Sequence, residues 1–298
     1  MKGVRVHEFG GPEVLRVDRG LPKPEIDNGD QILIEVYAAG VNPVDTYRRQ
    51  GIYPVKPTLP YTVGSEGAGV VAQVGQAVKR FKVGDRVAFT KTGVGSYAEF
   101  CRVSEMDAFE LPPCCDFIQG ASLGVSYATA YRALFQKASA VFGQTALVHG
   151  ASGAVGLAAV QLATGAGLRV LATAGTERGM ALVKQQGADA VFNHRKEGYM
   201  QQILIIGSRG PVEIDPRLTL LKEARVFGVG IVSTTDEQFA QMGRALAHGL
   251  EKGILKPVVA KGRVAYSMEE ASQAHRDLAE RSTAGVGSMG KLVVKIRD

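Results

Sequence analysis

The chain has 298 residues, more than one hydrophobic core usually supports, so two domains are expected. Its 45% apolar and 21% charged residues are ordinary for a globular protein, its 37 glycines point to many tight turns, and no apolar run is long enough for a membrane helix. The net charge of +6 would suit an anionic ligand or nucleic acid, but the basic residues are scattered rather than gathered into a stripe, so charge alone favours neither.

The amino terminus, MKGVRVHEFGGPEVL, alternates charged and apolar residues and lacks the apolar centre of a signal peptide. A cytoplasmic protein with no membrane partner is therefore expected. Residues 1 to about 118 read as β-rich: QILIEVYAAGV, GAGVVAQVG, DRVAFT and YAEFCRV are short β-branched or aromatic runs between Gly, Pro and Asp turns. A barrel-like domain follows from that texture. Cys101, Cys114 and Cys115 show no disulfide spacing and are expected as reduced thiols.

From about residue 119 the texture changes. CDFIQGASLGVSYATAYRALF is predicted as a helix, followed by the strand TALVHG, a helix over 154–166, the strand RVLATA, a helix over 178–187 and the strand AVFN. Such alternation implies a parallel sheet with helical crossovers. Near the carboxyl end SMEEASQAHRDLAE predicts a helix capped by Ser267, and KLVVKI predicts a last strand. The expected division is a catalytic domain over 1–118 completed by 257–298, with a nucleotide domain over 119–256 between them.

One loop carries chemistry. HGASGAVG holds Gly150, Gly153 and Gly156 between a strand and a helix, the context of a dinucleotide fingerprint rather than an isolated glycine turn. Gly150 would permit the turn, Gly153 would let a diphosphate approach the backbone, and Gly156 would let helix and strand pack closely. The helix tip would offer free N–H groups to the phosphates. The second strand ends in Ala174, Gly175 and Thr176, where an NAD site would carry an acidic residue for the ribose. NADP(H) is therefore expected over NAD(H), with Arg178, His194 or Arg195 offsetting a 2′-phosphate.

The combination of AAGVNPVDTYRRQG, PYTVGSEGAGVV, VGDRVAF, GSYAEF, HGASGAVG and VFNHR resembles the zeta-crystallin-like, zinc-independent quinone oxidoreductases of the medium-chain dehydrogenase/reductase superfamily. The resemblance covers nearly the whole chain. It implies an α/β protein with a GroES-like β-barrel-type catalytic domain, a Rossmann-type doubly wound parallel sheet and a quinone substrate. Zinc-dependent relatives place a Cys after the AAG turn and a His in a G-H-E triplet; here Asn42 and Ser65 stand there, so no metal is expected. Without a Lewis acid, alcohol oxidation is disfavoured, whereas a conjugated quinone needs mainly placement against the nicotinamide. Asn42, Tyr47 and Tyr53 are the expected catalytic-pocket residues, with Tyr47 also near the nicotinamide. By position, Ser152, Gly153, Ala154 and Val155 correspond to the diphosphate loop, Gly175 and His194 to the adenosine pocket. Ile206, Gly207, Ser208 and Arg209, with Val229, Gly230 and Ile231, correspond to strand ends facing the cofactor.

The chain departs from the family at one place. Only Lys196 to Gln202 separate VFNHR from ILIIGSRG, where relatives have roughly one further βαβ unit. The nucleotide sheet then has five candidate strands where a doubly wound dinucleotide sheet has six. A shortened variant with weakened or lost cofactor affinity is the expectation. Alternative readings are an RNA-binding role on AU-rich mRNA, a structural crystallin-like role, or an inactive truncated isoform. A homo-oligomer, dimer or tetramer, is also implied by the resemblance.

Overall fold

Alternation of apolar and polar side chains organises the first third of the chain. The computed structural model describes residues 1–196, 229–260, 265–283 and 289–297. β1 (Gly3–Val6) is flanked antiparallel by β2 (Leu15–Asp18) and by the short β4 (Tyr61–Thr62). The central strand of the larger sheet is β3 (Gln31–Val41), the run QILIEVYAAGV, whose apolar residues are buried almost throughout. It pairs along one side with β5 (Glu66–Val74), and register shifts at Leu33/Ile34 and Val36/Ala38 bend it. β6 (Arg86–Thr90) and β8 (Ala108–Glu110) extend the sheet beyond β5. Along its other side β3 takes β7 (Phe100–Ser104) on its first half and β12 (Leu292–Lys295) on its second. The last strand thus returns to the first domain's sheet. Ile32, Ile34, Val36 and Val41 close one core with Val4, Val71, Phe89 and Tyr97.

After β3 the Asn-Pro pair opens α1 (Pro43–Gln50), with Pro at a helix start where its missing N–H costs nothing. Gly51, at φ +71°, ends it, and its N–H donates back to the carbonyls of Tyr47 and Arg48.

The single helix expected from residue 119 is two. α2 (Phe117–Ala121) is capped by Asp116, whose carboxylate accepts from the Gln119 N–H at 2.8 Å, and α3 (Gly124–Tyr131) starts after a break at Ser122 and Leu123. The reason is Glu66, whose carboxylate accepts the Val125 N–H; an unbroken helix would spend that N–H internally. α3 runs on into a wider π-type turn over Arg132–Lys137.

The parallel sheet has three strands among the described residues, in the order β11-β10-β9: β9 (Thr145–Val148), β10 (Arg169–Ala174) and β11 (Ala190–Asn193). α4 (Ala154–Gly165) and α5 (Glu177–Gln185) are the crossovers, at nearly the positions the hydrophobic pattern predicts. The candidate strand ILIIG and the first part of RVFGVGI lie outside the described residues. Where description resumes, the expected strand does not reach Ile231. Val229 and Gly230 have no regular structure, and Ile231–Ser233 is a 3-10 turn closed by Ser233 N–H to the Gly230 carbonyl. Buried Arg132 holds that turn by donating to the Ser233 carbonyl at 3.1 Å and to Gln238 at 2.8 Å.

α6 (Asp236–Glu251) then packs Phe239, Met242, Leu246 and Leu250 onto Phe109, Leu111, Leu123 and Tyr127, a second core between the six-stranded sheet and the helices that also takes in Ala158 and Leu162 of α4. α7 (Ala271–Thr283) is preceded by the expected Ser267 cap. Ser267 Oγ accepts from the Glu270 N–H while Glu270 accepts from the Ser267 N–H, so the box closes one turn before the regular helix. Among the described residues no helix is long and apolar enough to cross a membrane, and all three cysteines are free thiols.

Candidate active site

The glycine loop connects β9 to α4. Gly150 sits at φ +66°, a left-handed conformation that a side chain disfavours, so it makes the turn as expected. At Gly156 a Cβ would lie 2.6 Å from the Ala151 Cα and from the Gly150 carbonyl, so the helix can pack this close only without one. Gly153 differs: its backbone is ordinary (φ −74°, ψ 166°) and an added Cβ would meet only the Gly150 carbonyl at 3.5 Å. A Cβ alone would therefore fit there, and the bare backbone leaves that side open to a ligand's close approach. Gly153 is also the N-cap of α4 and has no side-chain cap bond. The first-turn N–H groups of Ala154, Val155 and Gly156 have no intrahelical acceptor by geometry, and Val155 is exposed. These donors, the helix dipole and the bare backbone fit a dinucleotide diphosphate.

The loop is anchored from beneath by Thr173 on β10. Its hydroxyl accepts from the Gly150 N–H at 3.1 Å and lies 2.9 Å from His149 Nδ1 and 3.1 Å from His194 Nδ1, and its carbonyl accepts the Ala151 N–H at 2.7 Å. One hydroxyl has one proton and two lone pairs. With Gly150 using one lone pair, one histidine donates to Thr173 and the other accepts, so neutral His149 and His194 take opposite tautomers there. Burial pushes both imidazoles below their usual range, and for His194 the neighbouring His149 and Arg195 add to it.

His194 and Arg195 fold over Gly175, where an added Cβ would fall 2.7 Å from His194 Nε2 and 2.9 Å from Arg195 Nε. Gly175 and His194 of the expected adenosine pocket are thus brought together, with Arg195 beside them. Thr176 caps α5 by accepting from the Gly179 N–H at 3.0 Å, and Gly179 packs against Ser152 of the glycine loop. Arg178 is exposed on that first turn, beside Glu177, a carboxylate the sequence reading passed over. Ile206, Gly207, Ser208 and Arg209 lie outside the described residues.

Asn42 stands on the opposite wall and is only 2% exposed. Its Nδ2 donates to Glu66 Oε1 at 2.7 Å, and its Oδ1 accepts from the Lys291 ammonium. Lys291 also forms an ion pair with Glu66 at 2.5 Å, both residues being almost wholly buried at 4% and 0% exposure. Gly40 and Gly124 make room for the Glu66 carboxylate, which any Cβ at either position would overlap. One shell further, Asp45 accepts from the Asn42 N–H at 3.0 Å and from Ser65 Oγ at 2.6 Å. Burial pushes Asp45 up to about 6, against the lowering effect of those two hydrogen bonds. Glu66 and Lys291 escaped the sequence reading because their pairing spans the chain; the signals were Glu66 closing the Gly64-Ser65-Glu66 triplet and a Gly-Lys pair just ahead of an apolar strand.

The two walls meet at two consecutive residues. Gly290 forms a parallel bridge with Gly153 and donates its N–H to the Ser152 carbonyl at 3.3 Å, while Lys291, next in the chain, reaches Asn42. Tyr47 lies half-buried on α1, and Tyr53 lies half-buried just after it with the Arg48 guanidinium 5.4 Å from its ring centre. A cavity of about 480 Å³ opens on this side, bounded by Asp45, Arg48, Tyr61, Thr62, Gly64 and Val94 among others. Among the described residues no three His, Cys, Asp or Glu side chains converge as a metal-binding group.

Comparison with known proteins bears on the same residues. Residues 28–113 match the alcohol dehydrogenase GroES-like domain and residues 154–205 the zinc-binding dehydrogenase family. The quinone oxidoreductase of Rattus norvegicus is 43% identical over 330 aligned positions, covering 99% of this chain and 97% of that one. Since this chain has 298 residues, at least 32 of those positions have no counterpart in it. The structure of the Escherichia coli quinone oxidoreductase complexed with NADPH superposes at TM-score 0.84, with 26% identity over 99% of this chain and all of that one. A mycobacterial protein complexed with NADPH superposes at 0.83, with 28% identity over 99% of this chain and 100% of that one. Likeness of this extent, running through both the Asn42 wall and the glycine loop, shows that the chain belongs to the quinone oxidoreductase family of the medium-chain dehydrogenase/reductase superfamily.

Proposed function

We propose that the chain is an NADPH-dependent quinone reductase that works without a metal. The observation that carries this reading is the α4 tip at Gly153, which has no side-chain cap, joined through Gly290 and Lys291 to the wall that holds Asn42. When bound, NADP(H) would supply the hydride. The protein's part is to seat the diphosphate on Ser152, Gly153, Ala154, Val155 and Gly156, with Gly150 shaping the turn. Gly175, Arg178 and His194 would border the adenosine end, and Val229, Gly230 and Ile231, with Ile206 to Arg209, the nicotinamide end. Asn42 and Tyr47 would flank the reacting centre, and Tyr53 would stack on a flat acceptor while keeping its hydroxyl wet.

Metal independence draws support from the chemistry of the donors. Asn42 and Ser65 are already committed to Glu66, Lys291 and Asp45, and an ammonium stands where a cation would have to enter. The domain division proposed is 1–118 with 257–298 for the catalytic part and 119–256 for the nucleotide part. We assign the positions missing relative to the rat protein to the interval after Asn193, so cofactor affinity is expected to be lower than in full-length relatives. The test is NADPH consumption by the purified chain with an ortho-quinone acceptor. Turnover with the quinone and none with ethanol plus NADP supports the reading; the reverse pattern, or NADPH oxidation by neither route, defeats it.

A further inference from the structure

Lys291 is a buried cation next to Gly290, the glycine loop's partner, and reaches the acceptor wall, and the function proposed above gives it no part in the reduction itself. Its surroundings are unusually specific. Along with Ser126, Ala154 and Leu157 it lines the narrow seam between α3, α4 and β12. Its N–H donates to the Val258 carbonyl at 2.8 Å and its own carbonyl accepts from the Ala260 N–H at 2.7 Å, so its backbone is fixed on both sides. Its ammonium then has two acceptors, Glu66 Oε1 and Asn42 Oδ1. Glu66 in turn takes the Asn42 NH2 group on Oε1 and the Val125 N–H on Oε2.

This arrangement leaves the Asn42 amide a single orientation. Lysine can only donate and an ionised glutamate can only accept, so Oδ1 must face Lys291 and Nδ2 must face Glu66. Turned over, the amide would set NH2 against ammonium and carbonyl against carboxylate. Nδ2 has two hydrogens and one acceptor, which leaves one N–H to donate elsewhere. A lysine polarising the amide through its oxygen also makes that remaining N–H a stronger donor.

We propose that Lys291 is a positioning residue for quinone reduction: paired with Glu66, it locks the Asn42 amide so that its remaining N–H is presented to the acceptor oxygen. The inference rests on the reading of Asn42 as part of the acceptor wall. Hydride uptake leaves negative charge on the quinone oxygen, later neutralised by a proton from water, while the hydride donor is oxidised. An N–H held in place before that charge grows favours the transition state over the bound substrate.

Lys291→Met alone strands the Glu66 carboxylate in the interior, so the informative variant is Lys291→Met with Glu66→Gln, whose amide oxygen can still accept from Val125. Thermal unfolding checks its fold. With wild type, this pair variant, Asn42→Ala and the triple variant in hand, NADPH affinity is measured by calorimetry, kcat and KM with an ortho-quinone, and the Asn42 side-chain amide resonances by NMR in the cofactor-free protein. Expected are a kcat lowered about tenfold in the pair variant with NADPH affinity and quinone KM within about twofold, no further loss on adding Asn42→Ala, and a shifted or averaged Asn42 amide signal. An unchanged kcat, or losses from the pair and from Asn42→Ala that multiply, overturns the proposal. If the wild type does not reduce quinones, the functional reading falls on its own, and the amide resonances still decide the lysine's role: an Asn42 signal identical in wild type and pair variant overturns it.

Discussion

The glycine loop and the Asn42–Glu66–Lys291 cluster touch the two successive residues Gly290 and Lys291, yet they treat polar groups in opposite ways. In the cluster every charge has a partner and two glycines are spent making room for one carboxylate. In the loop a helix tip is left uncapped and a glycine is kept where neither backbone geometry nor packing requires one. Groups that belong permanently to the fold are closed off, because an unpaired buried charge is costly. Groups meant for an exchangeable ligand are left open.

Substitutions that break this contrast should have effects of different kind and size. Lys291→Met by itself should cost stability by ~3–5 kcal/mol, since it strands the Glu66 carboxylate, and most of the loss should return on adding Glu66→Gln. Chemical denaturation measures both. Gly153→Val should do the opposite: little change in unfolding, because a Cβ there meets only the Gly150 carbonyl, at 3.5 Å, but at least about hundredfold weaker NADPH binding, ~2.7 kcal/mol. The neighbouring Gly156→Val, aimed at backbone 2.6 Å away, should destabilise the fold itself by ~1–3 kcal/mol or more.

A fourth effect depends on pH. His275 is buried beside Tyr97, and burial, with Arg49 nearby adding to it, pushes it down to about 3. The native state therefore keeps it neutral while the unfolded chain binds a proton below about 6.5. Stability should be fully present above that pH and fall as the pH drops, by ~1.4 kcal/mol per unit until about 3. Denaturation of wild type and His275→Gln at pH 7 and 5 should show a smaller acid loss in the variant; equal losses would remove His275 from the account. The smallest expected change is at Arg178, exposed on α5. Its replacement by Ala should cut the preference for NADPH over NADH by about tenfold, ~1.4 kcal/mol, and leave NADH binding unchanged in parallel titrations.

Local signals in the sequence were the readable ones. The loop from Gly150 to Gly156, the strands on either side of it and the helix starting at Ala154 all follow from patterns of a few residues, and so does the α1 entry at Asn42-Pro43. The break between α2 and α3 was not readable, because it serves Glu66, a residue at the start of β5, 59 positions earlier than Val125. Lys291 was hidden for the same reason, lying 249 positions from Asn42. Thr173 looked like an ordinary strand residue until the fold set His149 and His194 on its hydroxyl. The run FGVGI has strand composition through Ile231, but Ile231 itself opens a 3-10 turn, held by the Arg132 anchor on the Ser233 carbonyl.

The most direct test of the open-loop claim is a titration of the purified chain with NADPH and NADH, beside its Gly153→Val variant and the Escherichia coli enzyme. The expected result is saturable NADPH binding, weaker than to the bacterial enzyme, stronger than NADH, and lost in the variant while its unfolding midpoint stays put. Binding that survives Gly153→Val unchanged, or no NADPH binding to the folded wild-type chain, would contradict it.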